Sequence, residues 1–308
     1  MQCKDLVSVA DLESNDIEKL FALTAEMKES NKRGDTDLCL AGKTLGMIFE
    51  KSSMRTRVSF EVAMTQMGGH AIYLTKHDIN IGERESIKDV SKVLSRFIDC
   101  IAIRTYDHKT VIELADSSSV PVINALSDYT HPCQALTDLY TIKEKKGSLD
   151  NVNLAYVGDG NNVARSLAFL CAKLKVSCTI ASPENYELSA QFLNELENNV
   201  IGKDSYIKQI RDPREAVKGA DVIYTDTWIS MGEEEEAEAR RQDFKGFQVN
   251  NELISYAKKD VFVMHCLPAH RGEEITDDVI DGEHSIVYDQ AENRLHVQKA
   301  LLKLLISG

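Results

Sequence analysis

Long apolar runs are missing from these 308 residues. No uninterrupted stretch approaches the ~18 residues a membrane span needs, so no membrane association is expected. An excess of basic residues is missing too. Lys and Arg number 36 against 49 Asp and Glu, and a net charge of −13 leaves no nucleic-acid footprint, so any anion site must be built locally. The seven cysteines are odd in number and contain no C-x-x-C, which argues against a disulfide framework or zinc ribbon and for small buried apolar residues. The opening stretch MQCKDLVSVADLESNDIEKL lacks a basic segment followed by an apolar core and is too acidic for a transit peptide. A cytoplasmic protein is the expectation. Internal repeats are absent, and low complexity is confined to Glu233 to Glu236.

What is present is alternation. With 43% hydrophobic and 28% charged residues, the chain is an ordinary globular one. Strand-like runs at 45–49, 100–103, 120–124, 153–157, 178–182, 221–225, 261–264 and 285–288 alternate with helical periodicity at 12–32, 84–99 and 132–145. That pattern is a parallel sheet with crossover helices. The helix from Pro132 ends in KEKKG, with cations at its carboxyl end and Gly147 as stop. The pattern restarts after it, giving two α/β units divided near 146–150. An amphipathic helix at 293–306 closes the sequence.

Five clusters carry chemistry. The first is FEKSSMRTRVSFE, residues 49–61, where a strand-like run ends and a helix begins. Ser52 or Ser53 stands at the N-cap, with Arg55 and Arg57 in the first turn, the worst end of a helix for cations. Either the arginines turn to solvent and pair with Glu50 and Glu61, or an anion is held there by backbone N–H groups, hydroxyls and a guanidinium fork. The motif itself does not name the anion. The second cluster, YTHPCQALTDLY, places His131 at a helix start, where a depressed pKa leaves a neutral imidazole able to donate to a carbonyl oxygen. Arg104 comes directly after the strand CIAI, at the edge where open α/β sheets bind ligands.

The third, VGDGNNVARS at 157–166, matches a dinucleotide turn weakly, because Val163 stands where the third glycine belongs. It offers instead two amides, Asn161 and Asn162, suited to a zwitterion. The fourth, TDTWISMGEEEEAEARR at 225–241, is either a solvated charged face or a closing loop at a strand's carboxyl end. The fifth is MHCLPAHRGEE at 264–274. His265, Cys266 and His270 lack the spacing of a structural zinc site, and no metal is expected.

Taken together, SxRTR, HPCQ, GDGNN, DxWxSMG and HCLP resemble the carbamoyltransferases, and DTWISMG and HCLPAHRG the ornithine branch of them. The resemblance runs from about residue 5 to residue 305. It implies transfer of a carbamoyl group from carbamoyl phosphate to the δ-amine of L-ornithine, giving L-citrulline and phosphate in arginine metabolism, with no cofactor. It implies that Ser53, Met54, Arg55 and Thr56 cradle the phosphate, that Arg104 and His131 polarise the carbonyl, and that Gln134 contacts the amide. Asn162, Asp226, Ser230 and Met231 then hold ornithine, while Cys266, Leu267 and Arg294 lie near the reacting centre. The catalytic set is Arg55, Arg104, His131, Asp226 and Cys266.

The implied fold is two doubly wound parallel-sheet domains, 1–146 for carbamoyl phosphate and 147–289 for ornithine, with a carboxyl-terminal helix, 290–308, returning to the first. The implied assembly is a homotrimer, and Leu267-Pro268 is cis in relatives. Two positions depart from the family. Met54 stands for the usual threonine, and Asn80 for the glutamine or histidine that reaches the phosphate from a neighbouring subunit. Weaker carbamoyl phosphate binding is expected from these changes. Three rivals remain: a carbamoyltransferase for another amine such as putrescine or an acylated ornithine, a dinucleotide-dependent oxidoreductase, and a non-catalytic binding protein.

Overall fold

The computed structural model describes residues 1–199, 206–230 and 232–307. The chain forms two compact units, Met1–Tyr140 with Glu292–Gly308, and Thr141–Ala291.

In the first unit the strands are β1 (Thr44–Phe49), β2 (His70–Thr75), β3 (Cys100–Arg104) and β4 (Val122–Leu126), all parallel in the order β2-β1-β3-β4. Parallel neighbours require crossovers, supplied by the helices Met54–Gln66, Ile87–Leu94 and His108–Ser117. Apart from Thr44 and Arg104 at their ends, β1 and β3 are apolar, and both are almost wholly buried, as strands covered on both faces must be. Ile48, Ile101, Ile103, Val111, Leu114 and Val122 form the core beneath them. Strand order reverses between β1 and β3, and the register Phe49↔Arg104 brings their carboxyl ends level. The turn after Phe49 therefore emerges beside Arg104, at a switch point of the kind that binds ligands.

The second unit repeats the logic with β5 (Asn153–Val157), β6 (Ser177–Ala181), β7 (Ile207–Ile210), β8 (Val222–Thr225) and β9 (Phe262–His265) in the order β7-β6-β5-β8-β9. Val157 pairs with Thr225 and Thr225 with His265. The GDGNN turn, Asp226 and Cys266 thus leave one sheet edge together. Trp228, Phe244, Phe247, Val249 and Ile275 belong to the core cluster that also contains Ala155 and Ile223 of this sheet.

One expected strand is absent. At 285–288 only Ser285 makes an isolated bridge, to Val263, and Val287 already opens the helix Val287–Ile306. A four-residue apolar run cannot distinguish the two periods, and here the helix extends it. The same helix therefore begins well before residue 293. The helix expected over 84–99 is shorter, Ile87–Leu94; Ser86 caps its start by accepting from the Asp89 N–H at 3.1 Å. Residues of the last helix tie into the first unit: Lys28 donates to Asn293 at 2.7 Å, Lys299 to Gln66 at 3.1 Å, and Lys303 to Asp37 at 2.7 Å. Val297, Ala300, Leu301 and Leu302 are buried.

Candidate active site

In the first unit, Ser53 has extended backbone and caps the helix Met54–Gln66, its Oγ accepting from the Thr56 N–H at 3.3 Å. The same hydroxyl lies 3.1 Å from Thr56 Oγ1, which accepts from Arg294 Nη2 at 2.8 Å. Thr56 is fully buried, so the last helix is pinned to the first turn of this one. Arg57 does not join the cluster. It pairs with Glu61 at 3.0 Å and stacks over Tyr73 at 3.9 Å, while Glu50 takes the Thr105 hydroxyl. The two arginines that share the first turn thus have different duties.

Arg55, Arg104 and Arg294 all bear electrostatically on His131. Burial is the largest influence on the imidazole, and the three guanidinium groups add to it, so its pKa falls well below 6.5 and it stays neutral. His131 sits at the start of the helix Pro132–Lys146, its carbonyl accepting from the N–H groups of Gln134 and Ala135. Gln134, almost wholly buried, donates to Asp138 at 2.8 Å through Nε2, and its Oε1 has no protein partner. The set reads as a dianion cradle beside one neutral hydrogen-bond donor and one amide acceptor. Met54, the first helical residue, is 68% exposed and brings only its backbone N–H to the helix start. Asn80 adopts a left-handed conformation, φ 40°, and its amide donates to Glu83 at 2.9 Å within its own turn.

The second unit gathers different chemistry. Asp226 is buried where β8 ends, and its Oδ1 accepts from the Thr227 N–H and from the Cys266 thiol, both at 2.8 Å. Its Oδ2 accepts from Asn161 Nδ2 at 2.8 Å. Asn161 is also the N-cap of the helix Asn162–Lys173, accepting from the N–H groups of Val163 and Ala164 at 2.9 and 3.1 Å. A strand-end carboxylate, a thiol and a cap are therefore one hydrogen-bonded unit. The amide that touches Asp226 is that of Asn161, while Asn162 opens the helix and accepts the Ser166 hydroxyl on its carbonyl at 2.7 Å. Asn161 is one of the two amides that the sequence marks in this turn, and its cap position sets which of them faces Asp226.

Gly160 lets this turn lie against the backbone of residues 186–188. A Cβ there would meet the backbone of Glu187 and Leu188 at 2.7 Å. Ser230 is half-buried, its N–H donating to Glu233 at 2.8 Å, and Met231 lies outside the described residues. Leu267 donates its N–H to His265 Nδ1 at 2.9 Å, and Leu267-Pro268 is cis. His265 Nε2 faces Glu274 at 3.0 Å, so both of its ring nitrogens are occupied. Of the expected site residues, Ser53, Arg55, Thr56, Arg104, His131, Gln134 and Arg294 therefore fall in the first unit. Asn162, Asp226, Ser230, Cys266 and Leu267 fall in the second.

The carbamoyl-P binding domain of aspartate/ornithine carbamoyltransferase matches residues 4–144, and the Asp/Orn binding domain matches residues 150–305. The chain is 52% identical over 305 residues to the ornithine carbamoyltransferase of Pyrococcus abyssi, covering 99% of this chain and 96% of that one. A Pyrococcus furiosus protein named ornithine carbamoyltransferase, anabolic, is also 52% identical, over 99% of this chain and 97% of that one. The solved structure of ornithine carbamoyltransferase from Pyrococcus furiosus superposes with a TM-score of 0.95, over 99% of this chain and 97% of that one. The solved structure of the Thermus thermophilus enzyme, 41% identical, gives 0.89, over 99% of this chain and 100% of that one.

Proposed function

This chain belongs to the aspartate/ornithine carbamoyltransferase family, and we propose that it transfers the carbamoyl group of carbamoyl phosphate to the δ-amine of L-ornithine, giving L-citrulline and phosphate. One observation carries the reading. Arg55, Arg104 and Arg294 bear together on a buried, neutral His131. Three fixed cations suit a phosphate dianion, and a neutral imidazole can still donate to the oxygen of an adjoining carbonyl.

The phosphate is held at the helix start by Ser53, Arg55, Thr56 and the backbone N–H of Met54. Arg104 and His131 donate to the carbamoyl oxygen, and Gln134 Oε1 accepts from the carbamoyl amide. Asp226 and Cys266 orient the δ-amine of ornithine, with Asn162, Ser230 and Met231 at its amino-acid end. Attack forms the N–C bond and places negative charge on oxygen. Arg104 and His131 stabilise that charge, and loss of a donor of this kind costs on the order of 2.7–4 kcal/mol. Collapse breaks the C–O bond to phosphate, and the proton shed by the amine leaves on the departing phosphate. Leu267 and Arg294 border the reacting centre. Asn80 is proposed to approach the phosphate of a neighbouring subunit.

The finer features of this reading are a homotrimer, a cytoplasmic location and a place in arginine biosynthesis. Met54, Val58 and Ile72 are exposed apolar residues of the first unit, and they support a covered face. No helix among the described residues is long and apolar enough to cross a membrane. The test offers carbamoyl phosphate with ornithine, putrescine, N-acetylornithine or aspartate and scores a ureido product. Citrulline from ornithine alone is expected. Turnover only with another amine would place the error in the 226–241 loop, and no turnover with any would favour a binding protein.

A further inference from the structure

Arg240 was legible in the sequence only as part of a charged run, yet it is 7% exposed. Its Nη1 donates to Asp159 at 2.8 Å and to the Trp228 carbonyl at 3.1 Å. Nη2 pairs with Glu233 at 2.8 Å and Nε donates to Glu236 at 3.2 Å. Glu233 uses its other oxygen, Oε2, to accept from the Ser230 N–H at 2.8 Å. The guanidinium also lies 5.0 Å from the Tyr186 ring, and Phe244 joins Tyr186 to Trp228 through ring contacts of 4.8 and 5.6 Å. One side chain thus binds the loop after β8 at Trp228, at Glu233 and, through Glu233, at Ser230. It fastens all three to Asp159, two residues from the Asn161 that holds Asp226.

A buried ion pair gives little net stability against well-packed apolar groups, because desolvation offsets the attraction. A fork satisfied on each of its nitrogens does fix geometry, which a lysine point charge does not. We propose that Asp159, Arg240 and Glu233 are positioning residues, which hold Ser230 and the Asp226–Trp228 segment in the arrangement that binds the acceptor amino acid. This rests on the reading of Asp226 and Ser230 as the ornithine half-site. It predicts a split between the two substrates, since Arg55, Arg104 and His131 belong to a separate unit.

The test compares wild type with Arg240→Lys, Asp159→Asn and Glu233→Gln. Steady-state kinetics in each substrate are paired with the emission of Trp228, the single tryptophan of the chain, without substrate. The expected result for Arg240→Lys is a KM for ornithine raised about tenfold or more, a KM for carbamoyl phosphate within about twofold of wild type, and an emission shift. Equal changes in both KM values, or an ornithine KM within about twofold of wild type in every folded variant, would overturn the proposal. Should Arg240→Lys fail to fold, the other two variants carry the test, as each leaves Arg240 two carboxylates. If wild type does not carbamoylate ornithine, the functional reading fails on its own. Trp228 emission then decides the network, and an unshifted Arg240→Lys spectrum contradicts it.

Discussion

At the residue scale, His131 decides most. Its neutrality follows from burial among Arg294, Arg104 and Arg55, and the proposed reaction uses it as a donor that needs no proton from solvent. Replacing it by glutamine keeps a donor of a different reach. His131→Gln is expected to lower kcat by about 10²–10³ and to change the KM for carbamoyl phosphate much less, measured by initial rates. The same burial has a cost in acid. A histidine whose pKa is depressed by folding contributes stability that is present above its unfolded value of 6.5 and is lost as pH falls toward the folded one. Unfolding free energy in urea should therefore drop between about pH 7.5 and about pH 5.5, by at most about 1.4 kcal/mol per pH unit for this group, and the slope should be shallower in His131→Gln.

At the scale of elements, the candidate site residues gather where parallel strands end. β1 and β3 deliver Ser53, Arg55, Thr56 and Arg104, and β5, β8 and β9 deliver Asn161, Asp226 and Cys266. These turns were legible in the sequence, because a strand running into S-x-R-T-R or into GDGNN is a local pattern. Three things were not. Short edge strands such as β7 are half-exposed and carry no apolar run. SIVY is too short to fix a period. Arg240 lies in a charged run, and its burial comes from partners 81 and 12 residues away, Asp159 and Trp228. Composition reports neither distance.

The same element yields a prediction about stability. Burial, the largest influence, raises the Asp159 carboxyl to about 6, against the opposing Arg240. Glu233 and Asp226 add to the rise, and Tyr156 faces the group from β5. A carboxyl raised by folding from 3.8 to about 6 favours the folded state below its unfolded pKa, and that contribution, about 3 kcal/mol at most, is lost as pH rises through about 6. Asp159→Asn is accordingly expected to leave the thermal midpoint at about pH 8 no lower than that of wild type, even as ornithine binding weakens. A midpoint several degrees lower would mean that Asp159 is chiefly a stabilising partner of Arg240.

For the whole molecule, the last helix matters as much as the sheets. Arg294 reaches Thr56 in the first turn of the helix Met54–Gln66, and Leu301 is completely buried in the same unit. Leu301→Ala is expected to cost about 2–5 kcal/mol of unfolding free energy in urea, with the loss confined to the transition of the first unit if the two melt separately. The proposed transfer is followed by tracing carbon-labelled carbamoyl phosphate with unlabelled ornithine, in wild type and in His131→Gln. The prediction is label in the ureido carbon of citrulline, one phosphate per ureido group, and a rate that collapses in the variant. Phosphate released without labelled citrulline, or a variant as fast as wild type, would contradict the account.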